Sequence, residues 1–199
     1  MKVKIKKEGK VETFNLINSW SDVTLETWLK LIDFETGTKT EEAEATLEAL
    51  SDIPKRLVKE LALSDVAAIM SKIGELQAKQ DTELKRIIEI NEVEYGFHPD
   101  LDSITLGEYA DIEQFIKNGI DKQLPELMSV LYRPVKLKKN DIYIIDSYDG
   151  DIRLRAEEMK QMSAEQVQSA LVFFYTLGKV LSEIMPLYLM EQLKETKTQ

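Results

Sequence analysis

The chain has 199 residues, and 36 acidic against 26 basic side chains give it a formal net charge of −10. Because proteins that bind duplex nucleic acid depend on clustered lysine and arginine, this balance argues against a nucleic acid partner. The chain has no cysteine, which excludes disulfide bonds, thiolate metal sites and cysteine nucleophiles.

The N-terminal part of the sequence predicts a β-hairpin followed by helices. Alternating side chains over residues 2–15 indicate two strands with Gly9 in the turn between them. Thr24 is placed to cap a helix, and Leu25 and Trp28 begin its apolar stripe. Three more helical segments are predicted after this one: "EEAEATLEALSD", "PKRLVKELAL" and "DVAAIMSKIGELQAK".

The same order of signals begins again after a polar junction at 77–83. "LKRIIEI" and "VEYGF" flank Asn91-Glu92 and predict a second hairpin. Thr105 and Glu108 then have the spacing of a capping box, in which each side chain bonds the backbone N–H of the other residue. The side chains predicted to point inward from this second helix are Tyr109, Ile112, Phe115 and Ile116.

Two phrases align at a shift of 81 residues, "SDVTLETWLKLIDF" at 21–34 and "LDSITLGEYADIEQF" at 101–115. The alignment places Trp28 on Tyr109 and Phe34 on Phe115. We therefore predict an α+β, predominantly helical fold of two diverged repeats, 1–80 and 81–199, each a β-hairpin followed by about three helices. The alternative is that the starts of amphipathic helices resemble one another without common descent.

The second predicted repeat is longer than the first because it contains an insertion. "NDIYIIDSYDGDIRLR" is interpreted as an extra hairpin at 141–155 that turns at Asp149-Gly150. A long C-terminal helix follows it. The apolar run at 170–190 approaches the length of a membrane span, but Lys179, Glu183 and Pro186 interrupt it, which favours a buried helix and no membrane partner.

This C-terminal helix is apolar on more than one face, so it either forms the centre of its own fold or contacts another chain. Partner contacts are expected on this helix and on the 142–154 hairpin. The candidate interface residues on the helix are Phe173, Phe174, Leu177, Leu181, Ile184, Met185 and Leu189.

Catalytic and metal-binding motifs are scarce in the sequence. His98 is the one histidine, so a histidine-based zinc site is excluded, and we expect it in a surface loop. No phosphate-binding glycine motif occurs, and "DSYDGDIRLRAEE" fails the EF-hand template. We predict no catalytic, cofactor or metal residues; the alternative left open is a looser cation site formed by Asp146, Asp149 and Asp151.

A second open alternative concerns the basic segment "RPVKLKK" at 133–139. Four cations lie close together there, which is compatible with a phosphate-binding site. A solvated loop is the preferred interpretation, because the rest of the chain is acidic.

Several phrases resemble small proteins encoded among the tail genes of tailed bacteriophages. They are "NSWSDVTLETWLKL", "SITLGEYADIEQFI", "LMSVLYRPV" and "SAEQVQSALVFFYTLG", and the likeness extends from about 16 to 185. The resemblance implies a non-enzymatic protein that binds other tail, hub or tape-measure proteins during tail or baseplate assembly. It implies a place in the host cytoplasm during assembly, or in the virion.

The alternative within the same resemblance is a structural protein of the virion, such as a ring or connector subunit or a minor tail subunit, which forms a homo-oligomer. A third hypothesis is a hydrolase or nucleic-acid-processing enzyme with an acidic site that no motif identifies. No cofactor is implied by any feature of the sequence.

Overall fold

The computed structural model describes residues 1–7, 10–34, 37–77, 83–173 and 175. Within these residues the fold is α+β and predominantly helical, with eight helices and two antiparallel sheets. The predicted fold class is confirmed at this level.

Two separate sheets lie in the described residues. The first pairs β1 (Lys2–Lys7) with β2 (Lys10–Asn15). The strands of the second are β3 (Ile87–Ile90), β4 (Val93–Phe97), β5 (Tyr132–Lys139) and β6 (Ile142–Ile145). They lie in the order β3-β4-β5-β6, so β3 and β6 are the edges of this sheet.

The helices begin largely where capping residues occur in the sequence. The N–H of Thr27 donates to the Thr24 hydroxyl at 3.2 Å, as the sequence predicts. Thr38 and Glu41 form a capping box of their own. The helices are α1 (Leu25–Phe34), α2 (Lys39–Leu50), α3 (Lys55–Val58), α4 (Leu63–Gln77), α5 (Leu106–Asn118), α6 (Leu124–Leu131), α7 (Ile152–Met159) and α8 (164–173).

The β3-β4 hairpin turns at Asn91 and Glu92, as predicted. Both residues have positive φ angles, 50° and 66°, which match the type I′ turns that join twisted antiparallel strands. The turn predicted at Gly9 in the first hairpin lies outside the described residues.

The predicted hairpin at 141–155 is wrong in its position. The strands that pair are β5 and β6, and they turn at Asn140 (φ 54°) and Asp141 instead of Asp149-Gly150. Asp149-Gly150 lies just before α7, which takes up the residues expected to form the second strand. "VKLK" within β5 alternates apolar and basic residues, as a strand does, so β5 uses residues that the sequence interpretation placed in a loop.

The predicted repeat is not confirmed. A hairpin precedes a capped helix in both halves, but the first hairpin forms a sheet alone and the second joins a four-stranded sheet. Trp28 is half-buried, whereas Tyr109 and Ile116 are exposed, so the prediction that these last two point inward is wrong. The predicted division at residue 80 stays a prediction.

Two clusters of buried side chains form the core. One lies between the four-stranded sheet and helices α5 to α8, and the other lies among β1, α2 and α4. Trp28 on α1 packs against both clusters. The start of α1 is also tied to the segment before α8, because the Leu25 N–H donates to the Met162 carbonyl at 2.7 Å and the Ala164 N–H to the Val23 carbonyl at 2.7 Å.

None of the helices in the described part of the chain is long and apolar enough to cross a bilayer. Most of the apolar run at 170–190 lies outside the described residues.

Candidate functional site

Three charged or titratable side chains are buried together on the four-stranded sheet. His98 directly follows β4, Arg133 is the second residue of β5, and Glu108 lies in the first turn of α5. Oε1 of Glu108 lies 2.7 Å from Nη2 of Arg133 and 3.5 Å from Nε2 of His98. All three side chains are buried, with Glu108 only 1% exposed. We call this set the buried network.

Glu108 has two functions in this arrangement, one for each carboxylate oxygen. Oε2 accepts hydrogen bonds from the Thr105 backbone N–H at 2.7 Å and from the Thr105 hydroxyl at 2.6 Å. These contacts are the predicted capping box at the start of α5. The other oxygen contacts Arg133 and His98. The cap therefore holds a carboxylate in the interior, and its charge is balanced by Arg133.

The charges of Glu108 and Arg133 stabilise each other and so oppose the cost of burying them. Burial raises the pKa of Glu108, but the Thr105 hydrogen bonds and the Arg133 charge lower it more, so that it lies below its usual value. Burial lowers the pKa of Arg133, an effect that Glu108 opposes. A guanidinium stays protonated despite such a change, so the pair is ionised at neutral pH.

His98 takes its neutral form in the network, because burial lowers its pKa more than Glu108 raises it. It is not the surface-loop histidine that the sequence predicts. Its backbone N–H donates to the Leu131 carbonyl at 2.7 Å, at the junction of α6 and β5, and its side chain is 8% exposed.

Acid is expected to destabilise the fold through His98. The folded-state pKa lies below the unfolded value of about 6.5, so this contribution is complete above that value and is lost as the pH falls through the folded-state pKa. The free energy of unfolding, measured with urea, should decrease as the pH is lowered from about 7.5 to about 5.5, the range in which histidine titrates. His98→Gln removes the only histidine of the chain. If the free energy of unfolding of this variant decreases with falling pH as steeply as that of the unmodified chain, His98 is not the cause of the decrease.

The side chains of Tyr143 and Tyr148 lie next to the buried network. The Tyr143 hydroxyl donates to the Phe97 carbonyl at 2.6 Å, so this side chain of β6 reaches past β5 to the end of β4. A Cβ atom on Gly96 would lie 2.5 Å from the Tyr143 ring, so glycine is required at this crossing. The Arg133 guanidinium lies 5.8 Å from the centre of the Tyr148 ring, which is within cation–π distance.

A cavity of about 390 Å³ opens beside these residues. Its wall includes all three members of the buried network. Nε of Arg133, Nδ1 of His98 and Oε1 of Glu108 are buried and have no hydrogen-bond partner among the described residues, although Oε1 lies 2.7 Å from Nη2 of Arg133 in the ion pair. A buried polar atom that stays unpaired costs about 1–3 kcal/mol. The other residues of the wall are Pro99, Ser103, Thr105, Tyr143, Ile144, Ile145, Asp146, Ser147 and Tyr148.

The edge of the sheet next to this cavity is apolar and exposed. Leu137 pairs with Ile144 across the β5-β6 hairpin, and Ile142 lies two residues before Ile144 on the same face. These three side chains, 67%, 55% and 77% exposed respectively, are called the hairpin face. Exposed edge strands are usually protected by lysine, proline or a covering segment, and "IYII" contains neither of these residues.

Two of the three aspartates considered for cation binding are in ion pairs, and the backbone N–H of the third, Asp151, donates to Asp149 at 3.0 Å. Asp146 lies 2.9 Å from Nζ of Lys136, and Asp149 lies 2.8 Å from Nη2 of Arg155. The hydrogen bonds from Arg155 and from a backbone N–H lower the pKa of Asp149 to about 2. In the part of the chain that the structure describes, no group of three or more carboxylate or histidine side chains could hold a metal ion.

The segment "RPVKLKK" is strand β5, so the prediction of a solvated loop is wrong. Arg133 is buried, whereas Lys138 pairs with Glu94 at 2.6 Å across the sheet. The cations therefore lie in different environments and do not converge on one phosphate.

One of the seven predicted interface residues on the C-terminal helix lies in the described residues. Phe173 is half-buried and packs edge-on against Phe97, with ring centres 5.4 Å apart. Its side chain contributes to the core at this point. The other six lie outside the described residues: Phe174, Leu177, Leu181, Ile184, Met185 and Leu189.

The sequence predicted Glu108 as a helix cap. It did not predict the contacts of the second carboxylate oxygen of Glu108 with Arg133 and His98, or the burial of these two residues. Two signals were available: Gly96 and His98 flank the last residue of a strand, and Arg133 closely follows a largely apolar helix, "LPELMSVL". Neither signal predicts which charges meet, because the three residues are far apart in the sequence.

No protein-family model matches the chain, and neither a curated protein nor a solved structure matches it.

Proposed function

We propose that this chain is a non-enzymatic assembly protein of a bacteriophage tail or baseplate, which acts by binding other tail, hub or tape-measure proteins. The observation that best supports binding is the hairpin face, where Leu137 of β5 and Ile142 and Ile144 of β6 are exposed, and β6 is the edge strand of the sheet within the described residues. Contiguous exposed apolar side chains of this kind are typical of interaction surfaces. The phage role itself derives from the resemblance of the sequence.

The buried network supports a binding function because it helps to fix the β5-β6 hairpin to the rest of the fold. Arg133 anchors β5 to α5 through Glu108, and Tyr143 anchors β6 to β4. A rigid edge loses little conformational entropy when a partner binds, which favours affinity. The predicted interface on the C-terminal helix remains part of the proposal, with Phe173 assigned to the core side of that helix.

Ile142→Thr combined with Ile144→Thr is expected to weaken binding of the tail protein partner at least tenfold. Threonine keeps the strand propensity of isoleucine but removes about half of the apolar side chain that each position offers. The measurement is co-purification of the chain with the tail, hub and tape-measure proteins encoded beside it, followed by calorimetry on the pair recovered.

Leu63→Thr is the matched control, because Leu63 is equally apolar and exposed but lies at the start of α4. It should leave binding unchanged. If the double variant binds as tightly as the unmodified chain, or if none of the tail proteins binds, the proposal is contradicted.

A virion structural protein is the second candidate, and the same edge favours it if the partner is another copy of the chain. Light scattering after size-exclusion chromatography separates the two. A monomer or dimer favours the assembly factor, whereas a closed ring favours the ring or connector subunit.

A further inference from the structure

Residues of the first sheet and of helix α4 together line a second cavity. Its volume is about 400 Å³, within the range of about 300–1,000 Å³ that is usual for ligand sites. Strand β1 contributes four consecutive residues to the wall, Lys2, Val3, Lys4 and Ile5. Successive side chains of a strand lie on opposite faces, so a cavity that touches all four runs along the strand. Helix α4 contributes positions 65, 68, 69 and 72, which lie on one side of the helix.

The charged side chains of this cavity are mainly basic, although the chain as a whole has a net charge of −10. Lys2, Lys4 and Lys72 line it, and Asp65 is the acidic residue among the described residues of the wall. The cavity is therefore a basic place on an acidic protein. Its excess of positive charge favours a negatively charged ligand.

The outer edge of β1 is open among the described residues, because β1 pairs there with β2 alone. At the start of this pairing the Leu16 N–H donates to the Met1 carbonyl and the Met1 amino group donates to the Leu16 carbonyl, both at 2.6 Å. Bonded and non-bonded pairs alternate along antiparallel strands, so Lys2 and Lys4 direct their backbone N–H and C=O groups away from β2. These groups can pair with an added strand.

The side chains of β1 determine which strand fits this edge. An added strand places every second side chain beside Lys2 and Lys4, where aspartate or glutamate is favoured because opposite charges on neighbouring strands attract. Its other side chains lie beside Val3 and Ile5, which are 8% and 4% exposed and belong to the same core cluster as Ile69, so apolar residues are favoured there. A second copy of β1 would bring lysine against lysine, which disfavours self-pairing.

We propose that a partner protein adds an extended segment, in which acidic and apolar residues alternate, to the outer edge of β1 beside α4. Its carboxylates lie next to Lys2, Lys4 and Lys72. Nucleic acid is the less favoured anion, because it carries a charge on every nucleotide and the rest of the chain is acidic. This surface is separate from the hairpin face, and the inference goes beyond the proposed function.

The test is fluorescence anisotropy with three labelled nonapeptides and the full chain. The first alternates glutamate with valine, the second replaces each glutamate by glutamine, and the third has the composition of the first with its glutamates placed together. The alternating acidic peptide should bind at least tenfold more tightly than either of the others, because it alone matches both the charges and the period of the strand. Tighter binding of a labelled thymidine nonanucleotide would overturn the inference and indicate a nucleic acid site.

Lys4→Glu combined with Lys72→Glu should weaken binding of the alternating acidic peptide at least tenfold. The matched control is Lys30→Glu with Lys117→Glu, which changes the net charge equally at exposed positions on α1 and α5. Its effect should stay below about threefold, because distant charges are screened in about 0.15 M salt. If the variant at Lys4 and Lys72 does not fold by circular dichroism, the three peptides on the unmodified chain decide alone.

Amide exchange measured by NMR locates the bound peptide. The amides of Lys2 and Lys4 should exchange at least tenfold more slowly with the peptide bound, whereas those of Val3 and Ile5, which donate to β2, should keep their rates. Equal binding of the three peptides, or unchanged exchange at Lys2 and Lys4, overturns the inference. The hairpin face takes no part in this binding, so such a result leaves the proposed function standing.

Discussion

Replacing Glu108 by alanine is expected to lower the free energy of unfolding by about 3–5 kcal/mol, as measured by urea denaturation. The substitution leaves the Arg133 charge buried 2.7 Å from the position of the lost oxygen, and Glu108 is the carboxylate with which Arg133 forms an ion pair in the described part of the chain. It also removes the capping bonds to Thr105, which are worth about 1 kcal/mol in most helices.

The matched control lies in the same helix. Glu113 pairs with Lys117 at 3.1 Å, but both side chains are largely exposed, so Glu113→Ala should cost less than about 0.5 kcal/mol. The double variant Glu108→Leu with Arg133→Met, which removes both charges, should recover part of the lost stability. Equal effects of Glu108→Ala and Glu113→Ala would show that the buried network contributes nothing.

Replacing Phe97 by alanine is expected to cost about 3–5 kcal/mol, the usual range for a buried phenylalanine. Phe97 is 1% exposed and contacts Tyr132 and Phe173 edge-on, with ring centres 5.1 and 5.4 Å away. The loss leaves a cavity that the four-stranded sheet and the helices cannot fill without moving. Thermal and urea unfolding followed by circular dichroism give the change.

Tyr109→Ala is the control for Phe97→Ala, because the sequence pattern places Tyr109 in the core and the structure places it 58% exposed. Its effect should lie within about 0.5 kcal/mol, as for most surface positions. A large loss in this variant would show that Tyr109 packs in the core, as the sequence pattern predicts, and would contradict its exposed position.

Local signals in the sequence were sufficient for many elements of the fold. The capping pairs at Thr24 and Thr105 and the turn at Asn91-Glu92 depend on residues a few positions apart, and all three are confirmed. Such bonds form between residues of one helix end or one turn, so the local sequence is enough to predict them.

The error at Tyr109 has a physical cause in the capping box itself. Glu108 both caps α5 and pairs with Arg133, so it belongs to the buried line that continues through Ile112 and Phe115. Tyr109 is about 100° further round the helix, which moves it toward solvent. Hydrophobic periodicity alone ranks a tyrosine above a glutamate for burial, because it takes no account of a partner charge on another strand.

The candidate site depends on contacts between residues far apart in the chain. His98 and Arg133 meet because β4 and β5 pair in a register that sets Gly96 opposite Arg133. The hairpin was misplaced because the sequence analysis left the residues of β5 in a loop, whereas β5 pairs with β4 at Tyr132–Pro134 and with β6 from Val135 to Lys139, which puts the turn at Asn140-Asp141. Neither register nor pairing partner can be deduced from one sequence alone.

Amide hydrogen exchange over residues 141–147, in the chain alone and with a co-purified tail protein, tests most directly whether β6 binds a partner strand. Strand addition predicts that those of these amides that do not already donate to β5, as Asp146 does, exchange at least tenfold more slowly in the complex, because the outer edge becomes hydrogen-bonded. The amides of α2 should keep their rates. A complex that forms without slowing exchange at 141–147 would place the binding surface elsewhere and contradict the role of the hairpin face.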